Sequence, residues 1–111
     1  MPDKRSKRQR KYYKDVERRI AKLLGGERNP LSGRNSKHCA GDVIHPKYLV
    51  EVKYREKNPS LNQILGWLNE AVENAKKENK IPLLILVLKG KKKPILITYL
   101  RDVLDILKGD E

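Results

Sequence analysis

Residues 41–57 read GDVIHPKYLVEVKYREK, and the run from Tyr48 to Arg55 has the composition of a β-strand. Side chains alternate along a strand, so Val50, Val52 and Tyr54 share one face while Glu51, Lys53 and Arg55 share the other. The valine face reads as core. The opposite face sets a carboxylate and an ammonium roughly 7 Å apart, at about 3.3 Å of rise per residue, with Asp42 a short way upstream. Such a face is either the solvated side of a strand or the wall of a reactive site, and the flanking sequence has to decide between them.

Working outward, Gly41–Ile44 and Tyr48–Arg55 form two short strands joined by a turn at His45-Pro46. Asn58-Pro59-Ser60 breaks the chain and caps a helix running to about Asn79. Its apolar stripe is expected at Leu61, Ile64, Leu65, Leu68, Val72 and Ala75. The run PLLILVLK (82–89) reads as a strand buried on both faces. A lysine-rich turn, KGKKK, leads to a strand over Pro94–Tyr99 and a short helix ending near Leu107. Upstream, Tyr13, Val16, Ile20, Leu23 and Leu24 recur at helical spacing from about Lys11 to Leu24. Gly25-Gly26 ends that helix, and ERNPLSGRNSKH is a loop or short strand followed by a turn. The expected order is α-β-β-β-α-β-β-α in a single domain, residues 12–111, preceded by a flexible basic arm, residues 1–11 (MPDKRSKRQRK).

Lys and Arg number 26 against 14 acidic residues in a chain of 111, a formal net charge of +12. That excess on a small body points to a polyanionic partner, most simply nucleic acid. Cys39 is the only cysteine, which excludes an internal disulfide and suits a reducing, intracellular setting. No apolar run approaches the roughly 20 residues needed to span a bilayer, so no membrane association is expected. The basic N-terminus lacks the apolar segment of a secretory signal.

Asp42 and Glu51 at adjacent strand ends can hold Mg²⁺ or Mn²⁺, hard cations that take oxygen ligands and keep exchangeable waters. Lys53 beside such an ion can neutralise charge developing on a phosphate. Glu17 falls on the border of the apolar stripe of the first helix, where a carboxylate is costly unless a metal, a cation or hydrogen bonds compensate it. A boundary pairing with Arg18, Arg19 or a sheet lysine explains it equally well. His38, Cys39 and His45 lack the spacing of a zinc site, and no phosphate-cradling glycine loop occurs. Trp67 lies off the main stripe of its helix.

GDV at 41–43 followed by VEVK at 50–53 resembles the PD-(D/E)xK nuclease signature, with Gly41 in place of the proline. ERRIAKLL (17–24), GGER (25–28), the SGR turn (32–34) and the strand–helix–strand order resemble more narrowly the Holliday junction resolvases of archaea and their viruses, and small phage resolvase-like proteins. The resemblance covers roughly residues 12–99. It implies an α/β, restriction-endonuclease-like fold, a mixed central β-sheet flanked by helices. It implies Mg²⁺-dependent endonucleolytic cleavage of DNA at four-way junctions, leaving 5′-phosphate and 3′-hydroxyl ends. By the same resemblance Asp42 and Glu51 are the metal ligands, with the Val52 carbonyl an additional one, and Lys53 is the catalytic lysine. Glu17 is the helix carboxylate (Glu27 being the other candidate), and Ser32 sits near the scissile phosphate. Phosphate contacts are expected from Lys7, Arg8, Arg10, Arg18, Arg28, Arg34 and Arg55. A nuclease for other branched or duplex DNA, or a non-catalytic DNA-binding protein of the same fold, stands as the alternative. A homodimer is expected by resemblance, with Trp67, PLLILVLK and PILITYL as its apolar material.

Overall fold

The computed structural model describes residues 7–30, 41–91 and 93–109. Ser32, Arg34, His38 and Cys39 lie outside them, as does the side chain of Arg10. The elements are α1 (Lys7–Leu24), β1 (Glu27–Arg28), β2 (Val43–Ile44), β3 (Tyr48–Arg55), α2 (Leu61–Glu78), β4 (Ile81–Leu88), β5 (Ile95–Ile97) and α3 (Leu100–Leu107). Five strands form one mixed sheet in sequence order, β1-β2-β3-β4-β5. Only β3 and β4 are parallel; the other three pairings are antiparallel. A parallel neighbour requires a crossover, and α2 supplies it. This is the α/β arrangement expected for a restriction-endonuclease-like fold.

The strand periodicity sorts the core into two layers. Val50 and Val52 of β3, Val43 of β2 and Leu83, Ile85 and Val87 of β4 pack against Val16, Ile20 and Ala21 of α1, with Val103 of α3 at the margin. On the other face Leu49 packs against Ala71 and Ala75 of α2. Helices thus cover β4 on both sides, which is why an unbroken apolar run was needed there. Ser60 caps α2 reciprocally with Gln63: the Gln63 N–H donates to Ser60 Oγ (3.1 Å) and the Ser60 N–H to Gln63 Oε1 (3.3 Å).

Several local expectations shift. Helix α1 begins at Lys7 rather than near Lys11, so residues 7–11 belong to it, with Lys7, Arg8 and Lys11 exposed. Leu23 is 70% exposed, and Ala21 holds the buried position beside Ile20. In α2 the buried residues are Leu68, Ala71 and Ala75, whereas Leu61 and Leu65 face solvent. Leu68 and Ala75 keep the expected stripe, Ala71 joins them and packs with Ala75 against Leu49, and Leu61, on the same side one heptad before Leu68, is exposed in the first turn. The strand expected over Pro94–Tyr99 is confined to Ile95–Ile97.

Candidate active site

The site grows from a departure in the sheet. β2 contains only two residues and pairs with β3 through Val43 and Val50. Just before it, Gly41 has φ +93, and a Cβ there would sit 3.0 Å from the Val50 carbonyl oxygen. Proline is locked near φ −65°, so the proline of the PD motif cannot occupy this backbone; glycine can. The turn steers the chain off β3, and Asp42 compensates for the lost pairing. Its N–H donates to the Val50 carbonyl (2.7 Å), and its Oδ2 accepts from the Val52 N–H (2.7 Å). The carboxylate stands where the next strand carbonyl would have been. Asn29, buried, secures the turn from outside: its N–H donates to the Asp42 carbonyl and its Nδ2 to the Gly41 carbonyl, each at 2.9 Å.

Asp42 is consequently 8% exposed and fixed. Glu51 reaches it from the α2-facing side of β3 and shares a side-chain hydrogen bond with it. Burial first, and then the Asp42 charge, push the Glu51 carboxyl from its usual 4.5 up to about 8, with Lys53 acting in the opposite sense. A cation bound between the two would relieve that crowding. In an extended strand a residue's N–H and C=O leave the same edge, so the Val52 carbonyl points toward the edge where Asp42 lies. Two carboxylates and a carbonyl form an all-oxygen set that fits a divalent cation keeping several waters. Among the described residues no group of three or more His, Cys, Asp and Glu is arranged to hold a metal ion.

Lys53 lies on the same face, two residues along, with its Nζ 5.7 Å from the centre of the Trp67 ring. Arg55 stacks on the same indole with Cζ at 4.7 Å. Its Nη1 donates to the Tyr13 hydroxyl (3.0 Å) and the Tyr54 carbonyl (2.7 Å). The charged face of β3 is therefore neither solvated nor dry: it runs beneath the first half of α2, half-buried. Glu17, 5% exposed, accepts from Arg28 Nε at 2.9 Å. The charges acting on Glu51 are those of Asp42, Lys53 and Glu70. Arg28 faces Val43 across the β1–β2 pairing, one residue from Asp42. Glu27 is exposed. Arg18 is exposed and pairs with Asp15 at 2.9 Å; Lys7 and Arg8 are exposed at the start of α1.

Asn29 and Glu70, at or behind the site, escaped the sequence reading, and two more residues there were given other roles: Tyr13 as part of the apolar stripe of the first helix and Trp67 as interface material. Trp67 and Glu70 lie one helical turn apart, and because α2 runs back over β3 they meet successive charged residues of that strand. Antiparallel docking of α2 on β3 was the available signal for them. Asn29 and Tyr13 act through backbone contacts that no residue pattern announces.

No described helix is long and apolar enough to cross a membrane. A family model described as "Phage putative PDDEXK endonuclease" matches residues 8–111, and such nucleases generally work with divalent metal ions. No curated protein and no solved structure matches the chain. A match extending from the first turn of α1 to Glu111 takes in nearly every residue described above, and the protein belongs to this phage endonuclease family of the PD-(D/E)xK superfamily.

Proposed function

We propose that this nuclease is an Mg²⁺- or Mn²⁺-dependent endonuclease acting on branched DNA, four-way junctions foremost. The observation that carries the catalytic reading is the Asp42–Glu51 pair, Asp42 buried and Glu51 half-buried, with Lys53 beside it, a constellation costly in electrostatic terms for ordinary strand surface. Asp42, Glu51 and the Val52 carbonyl would hold the cation. When bound, it supplies an activated water and charge neutralisation at the phosphate.

The chain's own groups do the rest. Lys53 places its ammonium where negative charge gathers on the phosphate oxygens. Arg28, whose guanidinium Glu17 orients, keeps further N–H donors for a phosphate next to Asp42; Glu17 serves the site through that pair. Ser32 precedes Asp42 on the connecting segment and is assigned to the scissile phosphate. Arg55 and the exposed Lys7 and Arg8, with Arg10, Arg18 and Arg34, supply phosphate contacts along the strands. The net charge of +12 supports a polyanionic substrate.

A homodimer suits a two-fold substrate that needs two nicks. The support is exposed apolar surface: Leu100, Leu104 and Leu107, which share one face of α3 by their spacing, and Ile95 and Leu96 of the edge strand β5. PLLILVLK is not part of it, because Leu83 to Val87 are buried within the domain; Trp67 is engaged by Lys53 and Arg55.

The deciding experiment incubates labelled four-way junction, flap and linear duplex with the protein, with and without Mg²⁺. Metal-dependent cleavage that favours the junction is the expected result. Binding without cleavage under every metal condition would make it a non-catalytic relative, and equal cutting of linear duplex would remove the junction preference. Sedimentation at micromolar protein should give a dimer that Leu100→Asp with Leu104→Asp converts to monomer.

A further inference from the structure

We infer that Trp67 is a positioning residue for the reaction, holding the Lys53 ammonium at the carboxylate pair through the face of its indole. The inference rests on the nuclease reading above, and it starts from the difficulty of using a lysine. A lysine carries its charge on a flexible four-carbon stem and loses much rotamer freedom when confined, yet a catalytic group has to be held within about half an ångström of its working position.

On β3 the local means of confinement are few. The neighbours of Lys53 on its own face are Glu51 and Arg55, a carboxylate committed to Asp42 and a like charge. Across the parallel pairing lies Leu86, which is buried and apolar. What remains is α2. Its Trp67 presents the indole to both cations, 5.7 Å from Lys53 Nζ and 4.7 Å from Arg55 Cζ. Both distances fall within the roughly 6 Å reach of a cation–π contact, and tryptophan is the strongest partner for one.

The two cations do different work. Arg55 is itself anchored, by Nη1 to the Tyr13 hydroxyl and to the Tyr54 carbonyl, so it fixes the ring. The fixed ring then fixes Lys53. The order of support runs from α1 through β3 to α2 and back to the reacting face, and it explains why two like charges two residues apart on one strand tolerate each other. It also gives α2 a task besides the crossover: one turn beyond Trp67, Glu70 adds a charge that acts on Glu51.

The test uses the full-length protein and two variants, Trp67→Phe and Trp67→Leu, with DNA affinity measured separately in the absence of divalent metal. A cation–π contact corresponds to about 3- to 30-fold in rate. The expected result is therefore a kcat lower by roughly that factor in Trp67→Leu, with Trp67→Phe between it and wild type and KM and DNA affinity little changed. Equal rates in the two variants, or a loss confined to KM and affinity, overturns the proposal; the second outcome would make the ring a platform for a nucleobase. A readout independent of cleavage comes from the lysine side-chain NMR spectrum. The ε-methylene resonance that vanishes in Lys53→Met should lie upfield of the other lysines in wild type and move back in Trp67→Leu. Its absence from the upfield region overturns the proposal whatever the activity. If instead the shift is present and wild-type protein cuts no DNA under any metal condition, the nuclease reading is what fails, and the catalytic part of the proposal falls with it.

Discussion

Replacing Glu51 by glutamine should stabilise the metal-free protein at alkaline pH, and the structure fixes the sign. Glutamine keeps the size of the side chain and its hydrogen bonding toward Asp42 but removes the charge. In wild type, burial and the neighbouring Asp42 carboxylate raise the Glu51 carboxyl from 4.5 to about 8. The folded chain therefore keeps a proton that the unfolded chain releases across that interval. A group raised in the folded state contributes stability that is full below its unfolded value, declines as pH rises through the window, and is gone above the folded value. Between about pH 5 and pH 8 the loss has a ceiling of about 4 kcal/mol, at about 1.36 kcal/mol per pH unit. Water reaching a half-buried group brings the expected figure to about 2 kcal/mol. The assay is urea denaturation in EDTA at pH 5 and pH 9 for wild type and Glu51→Gln, compared as a double difference so that other titrating groups cancel. Mg²⁺ should reverse the effect in wild type alone, because a cation favours the charged form. A double difference under about 0.5 kcal/mol, or one of opposite sign, would refute the picture of two carboxylates crowded by burial.

The other predictions concern separate parts of the site. Asp42→Asn should abolish cleavage at near-normal stability, since its amide oxygen can still accept from Val52, whereas Asp42→Ala should cost about 1–3 kcal/mol by orphaning that N–H; equal thermal stability of the two variants would contradict this. Lys53→Ala should remove cleavage and leave DNA affinity within a few-fold, as measured by electrophoretic shift; near-normal turnover would remove Lys53 from the site. Glu17→Gln should lower stability by about 1–3 kcal/mol, because Arg28 loses its countercharge, and should raise KM for DNA; a fall in kcat at unchanged KM and stability would instead put Glu17 at the cation. Alanine at the exposed Lys91 and Lys93 in the β4–β5 turn, and separately at Lys7 and Arg8, should flatten the dependence of log affinity on log salt by about 0.9 per lost phosphate contact. An unchanged slope would exclude that segment from DNA.

The element order was legible because each element carries its own period: two along β3, three to four along α1 and α2, and an unbroken apolar run where β4 is covered on both sides. Asp42, Glu51 and Lys53 were legible because charge on an otherwise apolar strand demands a reason. Contacts that depend on how elements dock were not. Leu61 and Leu65 look like core on a helical wheel, yet burial along α2 begins only at Leu68 and continues at Ala71 and Ala75. Arg28, expected among the phosphate contacts, also makes a part-buried pair with Glu17. Ser32 and Arg34 lie outside the described residues.

The short β2 has a consequence for how the sheet is held open. Past Val50 the edge of β3 has no neighbouring strand among the described residues, and two side chains close it instead. Asp42 takes the Val52 N–H, and the Tyr13 hydroxyl takes the Tyr54 N–H while donating to the Tyr54 carbonyl. These borrowed groups act as a splint, so the sheet forks there without leaving amides unsatisfied. On the proposed reading the fork gives access to the site: a continuous ladder along this edge would satisfy the backbone equally well but would place a strand over the Val52 carbonyl. Tyr13→Phe should therefore loosen the lip of that opening, visible as faster amide hydrogen exchange at Tyr54 with the remainder of β3 still protected.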